Sequence, residues 1–174
     1  MIRSVSKTIG PAFLAITFAA VGFSTTASGR ALAQGLVMQR NLSLSMAKTI
    51  AEAALAECKS KGFNTSVAVV DRAGQVLVLM RDERATAQTA EMSRRKAYTA
   101  RMFRRSTMEW AKRTAEDPAL APQRDLPDVL ALGGGVPIKF GEETIGAVAS
   151  SGSTQELDDA CAQAGAAKAQ AMMK

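Results

Sequence analysis

The 174-residue chain contains no histidine, and that absence excludes more chemistry than any single motif adds. Without an imidazole, no Ser-His-Asp or Cys-His catalytic arrangement can be assembled, and a histidine-based zinc site is ruled out as well. Two cysteines are too few for a cysteine-only structural zinc. Aromatic residues are scarce, with one Trp, one Tyr and six Phe, which leaves little on which nucleic-acid bases could stack. The formal charge of +6 invites a nucleic-acid reading, but half of that excess does not survive a closer count. Arg3, Lys7 and Arg30 lie in an acid-free leader, and removing them from the 22 basic residues leaves 19 against 16 acids. An excess of that size is a faint electrostatic footprint, and no nucleic-acid partner is expected.

The leader reads as a secretory signal peptide over residues 1–33. Residues 1–7 are short and basic, residues 9–23 are apolar apart from small or hydroxyl side chains, and residues 24–33 are small and polar. Ala31-Leu32-Ala33 offers small residues at the two positions a signal peptidase reads, so the mature chain is expected to begin at Gln34. The alternative is an uncleaved anchor, but an apolar run of about 15 residues is short of the roughly 20 needed to span a bilayer. The expectation is therefore a periplasmic or secreted protein with no stable membrane anchor after cleavage. No twin arginine is present, which favours the general secretory route.

Residues 34–174 read as one domain, and the 47% apolar content suits a single substantial core. Ser43 or Ser45 can cap a first helix running to about Lys61, with Ala47, Ile50, Ala51, Ala54 and Cys58 on one stripe. Residues 66–70 and 76–80 are β-branched and aliphatic around the turn Asp71-Arg72-Ala73-Gly74, a hairpin signal. Residues 81–113 hold ten basic residues against four acidic ones, and from Thr86 to about Phe103 nothing breaks a helix. Ser106 and Thr107 can cap a short helix towards Thr114, and the prolines at 118, 122 and 127 mark a surface loop over residues 116–128.

Residues 130–154, LALGGGVPIKFGEETIGAVASSGST, organise the rest. Two strand-like runs flank the Gly141-Glu142-Glu143 turn. Three glycines at 133–135 open the hairpin where the backbone needs positive φ or close approach, and the break Ser150-Ser151-Gly152-Ser153-Thr154 supplies an N-cap hydroxyl for a final helix. That helix carries an expected apolar stripe of Leu157, Ala160, Cys161, Ala164, Ala167 and Ala171, behind an acidic first turn that includes Glu156, Asp158 and Asp159. The glycines precede a strand and lack a following Lys-Ser/Thr, so they make no phosphate-binding loop. Adjacent Glu142 and Glu143 in a turn read as solvated rather than as an acid-base pair. Cys58 and Cys161 lie on apolar helix stripes, and either a disulfide or two buried thiols fits.

Gly134, Gly135, Pro137, Ile138, Gly141, Glu142, Ile145, Gly146, Ala147, Ser151 and Gly152 follow the pattern of the GlcG/HbpS haem-binding group, which the chain resembles. The segments SVAVVDRAG at 66–74 and RRKAYTARMF at 94–103 are similar to that group too. The resemblance implies an α+β fold, a profilin-like five-stranded antiparallel sheet covered by helices, and a symmetric homo-oligomer. It also implies haem or a related tetrapyrrole as ligand, held near a subunit contact, with Thr99 as the threonine associated with iron.

The residues themselves single out the basic helix. Arg94, Tyr98, Arg101 and Arg105 follow one another at helical spacing, so three guanidinium groups and a phenol share a face. Arginine holds carboxylates by paired hydrogen bonds, and a tyrosine can stack or ligate iron. The competing reading is a solvated or subunit-facing arginine stripe. The expectation is thus an exported haem-binding protein for storage, delivery or sensing, with Arg94, Arg101 or Arg105 on the propionates and Tyr98 or Thr99 nearest the metal. The rival is an accessory protein or enzyme of small organic acid catabolism that binds a carboxylate ligand.

Overall fold

The computed structural model describes residues 35–174, so the expected leader and its cleavage site lie outside the described residues. Met38–Lys174 form one compact unit. Its elements are α1 (Leu44–Ser60), β1 (Ser66–Val70), β2 (Val76–Arg81), α2 (Gln88–Phe103), α3 (Thr107–Glu116), a 3-10 turn (Ala121–Asp125), β3 (Gly135–Phe140), β4 (Glu143–Ser151) and α4 (Gln155–Met172). Side-chain oxygens of Ser43, Ser106 and Thr154 accept the N-terminal amides of α1, α3 and α4, which satisfies donors that a helix start leaves unpaired.

The four strands form one antiparallel sheet in the order β2-β1-β4-β3. Alternation divides its side chains between two faces. Val67, Val69, Ile138 and Val148 pack under α1 and α4, while Ala68, Val70, Ala147 and Ala149 meet Ala97 and Ala100 of α2. Central β1 is buried along its whole length, which is why it reads as an unbroken apolar run rather than as an alternation. Full burial of each Val or Ile there contributes roughly 1.5–3 kcal/mol. The second core, alanine throughout except for Val70, lets α2 lie close to the sheet.

Two backbone features fix where α2 ends and how it is held. Arg104 caps it in the left-handed region at φ 55, ψ 34, a conformation that costs a non-glycine residue energy. At the other contact, a Cβ added to Gly135 would stand 2.6 Å from the Lys96 carbonyl oxygen. Close approach of helix and sheet is therefore what that glycine supplies. Cys58 of α1 and Cys161 of α4 form a disulfide, with Cα atoms 5.5 Å apart and a sequence separation of 103.

Some expectations need correction. The sheet has four strands among the described residues rather than five, and the segment before Gly135 stays irregular. The loop at 116–128 contains the 3-10 turn. The buried side of α4 is Asp158, Asp159, Cys161, Ala162, Gly165 and Ala169, rotated from the alanine stripe, and Ala167 and Ala171 are exposed. Gly165 explains the rotation: a Cβ there would come 3.0 Å from the Ile50 carbonyl oxygen, so α4 turns its smallest residue to α1. No helix among the described residues is long and apolar enough to cross a membrane.

Candidate functional site

One end of the domain gathers four arginines from three separate segments. Arg72 comes from the β1–β2 turn, Arg101 and Arg104 from the C-terminal end of α2, and Arg40 from the chain just before α1. The turn is built by Asp71, whose carboxylate accepts the amides of Ala73 and Gln75 at 2.8 and 2.9 Å, and by Gly74 at φ 80. A Cβ at Gly74 would collide with Met102 and approach the Tyr98 ring to 3.0 Å. Glycine is needed there both for its backbone and for contact with α2.

A hollow of about 370 Å³ is lined by Gln39, Asn41, Arg72, Ala73 and Arg101. A second, of about 310 Å³, shares Arg72 and Arg101 and adds Met102, Arg104, Glu142, Glu143 and Thr144. Arg101 is the unusual group. Its Nε is buried without a hydrogen-bond partner, and burial, followed by the neighbouring charges of Arg72 and Arg104, pushes its pKa below the ordinary arginine value. A buried donor left unpaired costs on the order of 1–3 kcal/mol, more when charged. An anion placed here recovers that cost and relieves the crowding of like charges. Glu143 is the carboxylate bonded within the cluster: one oxygen accepts from Arg72, the other from Arg40 at 3.4 Å. These hydrogen bonds, Arg72 first, hold its pKa below the usual carboxylate range.

The residues expected at the site from helical spacing do not stay together. Arg101 and Tyr98 both belong to this end, Tyr98 half-buried against Gly74. Arg94 is engaged elsewhere, with Glu91 at 2.7 Å and Asp128 at 2.6 Å, and these partners, Glu91 foremost, raise its pKa further. Arg105 lines a different hollow of about 200 Å³ with Phe103, Trp110, Arg113, Leu120 and Gln123. Thr99 is fully buried, donating to the Arg95 carbonyl at 2.8 Å and accepting the Leu130 amide at 2.9 Å. Its hydroxyl holds the chain entering β3 against α2, which takes it off the exposed face. Glu143, expected as a solvated turn residue, is instead tied to two arginines because the β3–β4 turn meets the β1–β2 turn at the same end.

Sequence reasoning passed over Arg72 and Arg104. Arg104 sits at the cap of α2 and Arg72 in a turn 32 residues earlier, and only the tertiary fold brings that turn to the end of α2. It also passed over a buried ion pair. Lys96 Nζ lies 2.9 Å from Asp158 and 3.1 Å from the Ser150 carbonyl, with the two side chains 2% and 3% exposed. Asp158 additionally accepts from the Ser153 amide and hydroxyl. A Cβ at Gly134 would meet Asp158 at 2.7 Å, so the glycine run leaves room for this clamp. Among the described residues no cluster of His, Cys, Asp and Glu could hold a metal ion.

This arrangement, a four-stranded antiparallel sheet between helices with the glycine-opened β3–β4 hairpin, has counterparts. Residues 42–167 match the family described as haem degrading protein HbpS-like. The chain belongs to the HbpS-like family. The crystal structure of HbpS superposes on this HbpS-like chain with a TM-score of 0.73 at 36% identity, covering 76% of this chain and 93% of HbpS. A crystal structure of a PduOC–haem complex has a TM-score of 0.66 at 25% identity, covering 73% and 94%. In sequence, an uncharacterised 15.0 kDa protein from the dhaT-dhaS intergenic region of Citrobacter freundii is 32% identical over 121 residues, 67% of this chain and 84% of that protein.

Proposed function

We propose that this HbpS-like chain binds haem or a related tetrapyrrole at its arginine-rich end, as an exported protein of haem storage, delivery or sensing. The observation that carries the reading is the unpaired, buried Nε of Arg101 between Arg72 and Arg104, next to the half-buried Tyr98 and Met102. A tetrapyrrole combines a flat apolar ring with carboxylates at one edge, and these residues match both parts. Arg101, Arg72 and Arg104 would hold the carboxylates, while Tyr98 and Met102 would offer an aromatic and an apolar surface to the ring. Membership of the HbpS-like family and the likeness to a protein solved with haem support the ligand class.

Bound haem would supply a redox-active iron. With no histidine in the chain, the side chain of this site suited to the iron is the Tyr98 phenol, a weaker or anionic oxygen ligand. Modest affinity and ready transfer to another protein follow. The hollows are shallow, so a second copy of the chain is proposed to cover the exposed side of the ligand in a symmetric homo-oligomer.

The test is a haemin titration followed in the visible spectrum. A saturable Soret change in the wild type, weakened by Arg101→Ala and shifted in wavelength by Tyr98→Phe, supports the reading. A wild-type spectrum that stays that of free haemin removes the tetrapyrrole. Mass spectrometry of the native protein tests export, with a mature start near Gln34 expected and an intact Met1 contradicting it.

A further inference from the structure

The arginine end already contains a carboxylate. Glu143 sits at the first position of β4, and its two oxygens are taken by Arg72 and Arg40. Arg40 is held a second way, its guanidinium stacked 4.8 Å over the Phe140 ring. Other acids nearby do not compete for Arg72 in this way: Asp71 is used by its own turn, and Glu142 is exposed. Four guanidinium groups, Arg40, Arg72, Arg101 and Arg104, therefore face one engaged carboxylate. Arg72 is paired, and Arg101 has an unpaired donor.

We infer that Glu143 is a built-in competitor for the ligand's carboxylate, so that it determines both which anions the site accepts and how readily they leave. The inference rests on the reading that this end holds carboxylates. A ligand with one carboxylate can use Arg101 alone. A ligand with two can take Arg101 with one group and displace Glu143 from Arg72 with the other, so the site favours dicarboxylates. On release, Glu143 returns to Arg72 and the cation is never left bare, which makes exchange easy. Arg40 keeps its place on Phe140 while Glu143 moves.

The experiment compares wild type, Glu143→Gln, Arg72→Ala and the double variant, with haemin and with metal-free protoporphyrin IX as probes. Glutamine keeps the size of the side chain and removes the competing charge. Affinity for both probes is expected to rise on the order of tenfold in Glu143→Gln, with the Soret wavelength unchanged. The gain should vanish in the double variant, which binds like Arg72→Ala. Equal or weaker binding by Glu143→Gln overturns the competitor role even where the wild type binds haemin. If the wild type binds neither porphyrin, the tetrapyrrole reading fails separately, and citrate becomes the probe, read by thermal shift. A larger citrate-induced rise in melting temperature for Glu143→Gln than for wild type then supports the competitor role, and an equal or smaller rise overturns it.

Discussion

Replacing Asp158 with alanine should be among the most damaging single changes available in this domain. The carboxylate it removes accepts from Lys96 at 2.9 Å and from the Ser153 hydroxyl at 2.8 Å, and the lysine it abandons is 2% exposed. Lys96 would keep only the Ser150 carbonyl, at 3.1 Å. Breaking a buried pair while leaving one charge behind costs about 3–5 kcal/mol, because the remaining charge has neither water nor a partner. For a domain of this size, that corresponds to a fall of roughly 10–15 °C in melting temperature. Circular dichroism melting of the oxidised protein at neutral pH measures it. Replacing both partners, as Lys96→Met with Asp158→Leu, should restore most of the loss, since two apolar groups leave no unpaired charge. An Asp158→Ala protein within about 1 kcal/mol of wild type would refute the clamp, as would a double variant no better than the single.

Further outcomes follow from other contacts. Gly135→Ala places a Cβ 2.6 Å from the Lys96 carbonyl oxygen, so α2 must move; a loss of about 1–3 kcal/mol in chemical denaturation is expected. Arg104→Gly should leave stability unchanged or raise it by about 1 kcal/mol, because it relieves the left-handed cap, while weakening haemin binding; a destabilised variant would contradict the cap geometry. Reducing the Cys58–Cys161 bridge, which spans 103 residues, should lower stability by about 2–4 kcal/mol in a comparison of oxidised and reduced melts. Burial raises the pKa of Asp159, one of whose oxygens has no partner. The folded state therefore holds this proton more tightly than the unfolded chain, a contribution present at low pH and lost as pH rises through the folded pKa. Asp159→Asn should accordingly gain on wild type in melting temperature as pH increases from about 4 to 7, and a constant difference would refute it.

The fold was largely readable because its signals are local. Ala47, Ile50, Ala51, Ala54 and Cys58 form the buried stripe of α1 as helical spacing predicts, and the turn at Gly74 and the caps at Ser43, Ser106 and Thr154 are where their chemistry places them. Alanine-rich α4 defeated the same reasoning, since alanine is neutral between core and solvent and Gly165 decided the packing instead. The site was legible only in part. Helical spacing put Arg94, Tyr98, Arg101 and Arg105 on one face, but helix neighbours and loops claimed Arg94, and the bend at Arg104 sent Arg105 to another hollow. Arg72 and Glu143, 71 residues apart, meet only through strand pairing. Likewise, Asp158 was readable as a first-turn acid of α4 but not as the partner of a lysine 62 residues earlier.

The most direct measurement is a parallel haemin titration of wild type, Arg94→Ala, Arg101→Ala and Arg105→Ala, read as the Soret change. Helical spacing puts the three arginines on one face, but their surroundings differ: Arg94 is paired, Arg105 lines a separate hollow, and Arg101 is half-buried with an unpaired, buried Nε. Arg101→Ala should weaken binding on the order of tenfold or more, as expected for a lost charge-assisted bond, while Arg94→Ala and Arg105→Ala stay close to wild type. Equal losses at all three positions, or a loss at Arg94 or Arg105 with Arg101→Ala unaffected, would contradict the placement of the ligand at the arginine-rich end.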